Sequence, residues 1–89
     1  MIYLITYDLN SPDKDYNKLY DEIKSIGEWH HPLESIWYVV SDELVDNIAK
    51  RIKDEMDAND FLFVVDISRQ PRQGWLPKPT WEWLRVHDQ

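Results

Sequence analysis

Ile2-Tyr3-Leu4-Ile5-Thr6-Tyr7-Asp8 is the stretch whose reading decides the fold, a run of β-branched, aromatic and leucine residues closed by a carboxylate. It reads as a strand apolar on both faces, with Ile2, Leu4 and Thr6 on one and Tyr3, Ile5 and Tyr7 on the other. A strand wetted on one side would alternate apolar with polar residues, so this one belongs inside a sheet covered on both faces. Asp8 lies where the strand emerges, before Asn10-Ser11-Pro12-Asp13 turns the chain.

With 89 residues the chain makes one domain, near the lower limit for a single core. It has no cysteine, and no zinc-type spacing is legible, so disulfides and an evident structural metal offer no help. Self-association is the remaining route to extra burial, and a homodimer is expected. The formal net charge is −7, from 17 acidic and 10 basic residues, which disfavours strong stand-alone nucleic-acid binding. Neither a signal-peptide pattern nor a membrane-length apolar run is present, so a cytoplasmic protein without membrane contact is expected.

Outward from the first strand, Ser11 or Asp13 reads as a helix cap with Pro12 at the first position. Tyr16, Leu19, Tyr20, Ile23 and Ile26 then repeat at helical spacing, giving an amphipathic helix over 15–26 that stops at Gly27. The period changes after Glu28. A short edge strand around Trp29-His31 is expected to end or kink at Pro32, followed by a buried strand over 35–40. Ser41-Asp42-Glu43 starts a second helix carrying Leu44, Val45, Ile48, Ala49, Ile52 and Met56. Asp46-Lys50, Lys50-Asp54 and Arg51-Glu55 stand on its outer face at i, i+4 spacing. Phe61 to Ile67 is a further strand, apolar on both faces.

This order is the ferredoxin-like βαββαβ pattern of the α+β class, one antiparallel sheet with two helices on one face. The first and third strands are expected to be central and parallel, with the fourth at the edge beside the first. Residues 1–67 would form this domain and 68–89 a Trp-rich C-terminal extension. Two helices cover only one face, and leaving Tyr3, Ile5 and Tyr7 bare would expose a patch larger than soluble monomers usually carry. Either the tail or a second subunit must cover it, and the subunit is favoured, with the tail contributing. Tyr3, Ile5, Tyr7, Trp75 and Trp81 are therefore the expected interface.

The tail pairs turn signals, Gln70-Pro71-Arg72-Gln73-Gly74 and Leu76-Pro77-Lys78-Pro79, with Trp75, Trp81, Trp83 and Leu84, too apolar for a disordered end. Thr80 to Val86 reads as one or two helical turns. Its tryptophans serve as packing anchors. The alternative is a stacking surface for bases, with Arg69, Arg72 and Arg85 nearby.

The first strand ending in Tyr7-Asp8, the helix ending at Ile26-Gly27 and the kinked pair through Glu34-Ser35-Ile36-Trp37-Tyr38-Val39 resemble the CRISPR-associated protein 2 family. They also look like its toxin-like relative, virulence-associated protein D. The likeness covers residues 1–67. It implies a ferredoxin-like homodimer packed through its sheets. Some members are metal-dependent nucleases on RNA or DNA, with the first-strand Asp at the dimer axis, and others are non-catalytic scaffolds for DNA capture. Asp8 matches the catalytic and metal position, and Ser35 falls at a motif serine with a structural or supporting role. The family's basic surface is missing, and a Trp-rich tail stands in place of its exchanged terminal strand. Gly74-Trp75-Leu76 resembles a segment of small proteins of bacteria and their phages.

One carboxylate holds magnesium weakly, so Asp8 would need its symmetry mate or Asp60, which should begin the fourth strand beside it; Asp66 belongs at the opposite end, near Met1. The favoured reading of Asp8 is a loop cap, accepting from the Asn10 or Ser11 amides. His30 and His31 are candidate acid–base groups, but neighbours on a strand point to opposite faces and cannot act together. His87 is uninformative. Two functions follow: a non-enzymatic dimeric interaction module with an acidic surface and aromatic tail for a protein partner, regulating or countering a nucleic-acid-processing system; or a nuclease using Asp8 and magnesium. The first is favoured.

Overall fold

The computed structural model describes residues 1–88, in the order β1 (Ile2–Asp8), α1 (Asn17–Ile26), β2 (Trp29–Leu33), β3 (Ile36–Val40), α2 (Val45–Lys53), β4 (Phe61–Asp66) and α3 (Lys78–His87). It is a mixed α+β structure with a four-stranded antiparallel sheet, ordered β2-β3-β1-β4, and three helices. β1 and β3 are both inner strands, but they run antiparallel, with Ile5 opposite Trp37, rather than parallel as expected. The β2–β3 hairpin reverses the chain before β3 pairs with β1, and that reversal fixes the direction.

α1 and α2 begin later than their sequence signals. Residues 12–14 form a turn, and Asp15 Oδ1 accepts from the Asn17 amide at 2.9 Å. Ser41 Oγ accepts from the Glu43 amide at 3.0 Å, and α2 starts only after Leu44. Such short polar side chains satisfy a local turn as readily as a helix end, so the motif marks the approach rather than the first residue. β2 runs through Pro32 to Leu33, which its edge position permits, and its pairing with β3 shifts register between His30 and Leu33. Lys50 pairs with Asp54 at 2.9 Å as expected. Arg51 instead reaches across to α1, where Glu22 lies at 2.8 Å and Ser25 Oγ at 3.0 Å, and to Glu43.

The principal core lies between the sheet and α1 and α2. Tyr3, Ile5, Trp37 and Val39 meet Leu19, Ile23, Ile48 and Ile52, all buried, and each large side chain contributes about 1.5–3 kcal/mol by leaving water. Tyr7 packs on the same cluster, and its hydroxyl accepts from Trp37 Nε1 at 2.9 Å. This corrects the interface expectation for Tyr3 and Ile5, which are buried against the helices, whereas Tyr7 faces the same way but is only half-buried. Period-two alternation assigns these residues to one face, but it does not say which face the helices take.

The opposite face is covered in part by the tail. Leu84 of α3 packs on Ile2 and Tyr38, with Leu4, Ile36, Ile67, Trp81 and Trp83 around them. Trp81 is thus an intramolecular anchor. Its expected companion Trp75 stands 96% exposed. The start of β1 is fixed by Ile2, whose amide donates to Ser68 Oγ at 2.7 Å and whose carbonyl accepts from the Ile67 amide at 2.9 Å.

Candidate functional site

Asp8 ends β1 opposite Phe61, exposed, and its side chain shares the α3 face of the sheet with Leu4 and Thr6. The loop that follows is not capped by Asp8. Asp60 holds it instead: Oδ1 accepts from the Asn10 amide at 2.7 Å, Oδ2 from the Asp57 amide at 2.8 Å, and both oxygens receive the Tyr16 hydroxyl, at 2.8 and 2.9 Å. The Ser11 amide donates to the Tyr16 hydroxyl at 3.3 Å, and Ser11 Oγ to Asp57 at 2.7 Å. Burial pushes the Asp60 carboxyl up, but the Asn10 and Asp57 amides and the Tyr16 hydroxyl outweigh it and hold it below the usual carboxylate range.

Asp60 is buried with its oxygens committed to these donors, so it does not serve as a second magnesium ligand for Asp8 within one chain. No group of three His, Cys, Asp or Glu side chains able to hold a metal occurs among the described residues. Asp66 is placed opposite Tyr3, at the Met1 end, away from Asp8. The signal for Asp60 was its place at the head of β4, where a carboxylate meets the loop leaving β1.

At the border of the part of the sheet that α3 covers, one row crosses all four strands: Leu33 pairs with Ile36, Ile36 with Thr6, and Thr6 with Phe63. Leu33 is 44% exposed and Phe63 61%, while Phe61, next along β4 on this face, is 69% exposed. Asp8 borders this apolar strip.

His30 and His31 point to opposite faces. His30 Nε2 lies 3.0 Å from Thr80 Oγ1 of α3, and its ring stacks on Trp83 at 5.6 Å. Burial first, then the neighbouring His31, push its pKa down. His31 stacks on Trp37 at 3.7 Å, and its Nε2 bonds the Glu34 carbonyl oxygen at 3.0 Å. His87 is more than a terminal residue, with its ring 4.4 Å from Trp83 and Nε2 3.2 Å from Glu28. The two β2 histidines pack, and neither approaches Asp8 in the register of the sheet.

A second concave region lies at the other end of this face. Arg69, Arg72, Arg85 and Asp88 line an open depression beside Trp81 and Leu84. A smaller apolar cavity of about 140 Å³ adjoins it, beneath Pro71, Leu76 and Trp81. No helix among the described residues is long and apolar enough to cross a membrane. No protein-family model matches the chain, and no curated protein matches it.

Proposed function

We propose that the protein is a non-enzymatic interaction module that pairs with a second copy of itself through the open half of the α3 face. The observation that carries this is the row Leu33, Ile36, Thr6 and Phe63, extended by Phe61, in which Leu33, Phe63 and Phe61 are exposed while Thr6 is half-buried and Ile36 is half-buried beside the Leu84 cluster. Contiguous exposed apolar surface on a small domain marks an association site, and an aligned sheet-on-sheet contact buries one such row against another. A second copy supplies the same flat surface by symmetry. Trp75, almost wholly exposed, and the acidic remainder of the surface suit a further, protein partner, for which a Trp anchor is a common hot spot. A ferredoxin-like origin, and kinship with the CRISPR-associated protein 2 fold, belong to this proposal. α1 and α2 on one face, with β4 beside β1, support it, while α3 on the other face departs from it. A role in regulating or countering a nucleic-acid-processing system follows from that kinship alone.

Sedimentation velocity on the full chain at micromolar concentration is the test. A dimer that Phe63→Glu converts to a folded monomer is expected, and a wild-type chain that stays monomeric overturns the reading.

One observation favours a second reading, a magnesium-dependent nuclease. Asp8 is exposed at the border of the open row, so a pairing through that row brings two copies of it to one rim. Cleavage of RNA or DNA that needs magnesium and is lost in Asp8→Ala would establish it over the first.

A further inference from the structure

Trp75, 96% exposed, stands beside a hole of about its own size. The apolar cavity of about 140 Å³ on the α3 face is lined by Leu4 and Tyr38 of the sheet and by Trp81 and Leu84 of α3. Gln73 and Leu76, on either side of Gly74 and Trp75 in the tail, line it as well. Leu4 pairs with Tyr38 as Thr6 pairs with Ile36, so the cavity floor lies one same-face step, about 7 Å, from the open row. Trp75 does not fill this hole in its own chain. Leu76 precedes Pro77, which favours extended backbone at Leu76, and neighbouring side chains of an extended chain point opposite ways. With Leu76 turned to the cavity, Trp75 is turned out from its rim. A Cβ built on Gly74 would meet nothing within 4 Å, which leaves room there for an approaching surface.

We infer that, in the self-paired form proposed above, the Trp75 indole of each copy enters this cavity in the other. The inference rests on that pairing, and it gives Trp75 to the second copy in place of a further partner. A projection and a hole that adjoin each other in one chain are self-complementary. A two-fold axis passing beside residues 73–76 brings each indole to the other copy's cavity at once, and the contact closes at two chains. An apolar cavity of roughly 150 Å³ accepts a benzene-sized ring, so the six-membered ring of an indole fits with its N–H towards the mouth. That N–H needs an acceptor once buried, and Gln70 and Gln73 line the cavity with side-chain carbonyls. Gln73 Oε1 accepts from the Gly74 amide at 2.9 Å, and an amide oxygen has room for two donors. Each buried aromatic takes about 150–250 Å² out of water, and the symmetry counts it twice.

A mixed sample of isotope-labelled and unlabelled full chain tests it, because filtered NOE spectra then read contacts between copies alone. The Trp75 indole protons are expected to touch the methyl groups of Leu4, Leu76 and Leu84 in the other copy. This arm uses the wild-type chain, so it stands whatever a variant does to the fold. Sedimentation velocity over a concentration series is the second arm. Trp75→Ala is expected to weaken the dimer by about a hundredfold or more, the scale of one hot spot lost twice, and to melt as wild type at dilutions where both are single chains. A dimer that Trp75→Ala leaves as tight, or in which the indole touches none of those methyls across copies, overturns this inference and leaves the pairing in place. A wild type that stays monomeric overturns both.

Discussion

The Tyr16 hydroxyl, just before α1, sits between both oxygens of the Asp60 carboxylate at the head of β4, 2.8 and 2.9 Å away across 44 residues of chain. With the Asn10 and Asp57 amides on the same carboxylate, this contact joins the β1–α1 loop to the α2–β4 loop. Asp60→Ala removes the acceptor for three part-buried donors and is expected to cost about 2–4 kcal/mol, at the scale of hydrogen bonds to charged groups. Asp8→Ala, on the exposed strand end, should stay within about 0.5 kcal/mol. Urea denaturation of the two variants checks the contrast, and equal losses would refute the assignment of Asp60 as the loop's anchor.

Acid should weaken the fold in two stages. His30 has a folded pKa below its ordinary 6.5, because burial and then His31 disfavour its charge. Its stabilising effect is complete above about 6.5 and declines as pH falls from there to the folded value, since the unfolded chain binds the proton first. Asp60 and Asp66 have folded values below the ordinary 3.8, Asp66 chiefly through the Ser68 amide and hydroxyl. Their contribution is present above that value and is lost as pH falls through the folded ones. Urea midpoints measured from pH 7.5 to 3 should show both declines, with the upper one absent in His30→Gln.

Gly27 is required by a close approach. A Cβ there would lie 2.0 Å from the Val40 carbonyl oxygen, at the point where β3 ends beside the α1–β2 connection, while its φ of 172° is extended backbone that any residue adopts. Gly27→Ala must push two backbone segments apart and should cost about 2–3 kcal/mol, at the upper end of the overpacking range. A thermal melt within a degree or two of wild type would contradict this.

Leu84→Ala should loosen the cover on the second face. Leu84 is buried on Ile2 and Tyr38, and its truncation is expected to cost about 2–4 kcal/mol with incomplete collapse of the gap. Hydrogen exchange should then rise first in α3 and at the start of β1. Unchanged protection there would mean that α3 is not held by this contact.

Phe63→Glu acts on association rather than folding. Its side chain is 61% exposed, so the single chain loses little, whereas a charge facing its own symmetry mate opposes pairing. The expected result is an unchanged melt at high dilution and a smaller sedimentation coefficient at micromolar concentration. An unshifted coefficient for a wild type that dimerises would move the interface elsewhere.

Much of the chain's local structure was legible in its sequence. Apolar periodicities of two and near 3.6 identified β1, β3, β4, α1 and α2, because each element must present an apolar face whatever its neighbours are. Adjacency on a strand was enough to separate His30 from His31. The tail's composition called for order and for a helix near Thr80, which α3 supplies over Lys78–His87. The tertiary structure alone decided which face of β1 the helices took, because Tyr3-Ile5-Tyr7 and Ile2-Leu4-Thr6 are both apolar enough to be buried. It alone brought Asp60 rather than Asp8 to the Asn10 amide, and gathered Arg69, Arg72 and Arg85 beside Trp81. Periodicity constrains each element by itself, whereas a loop anchor or a cluster of like charges exists only once segments far apart in the chain are packed together.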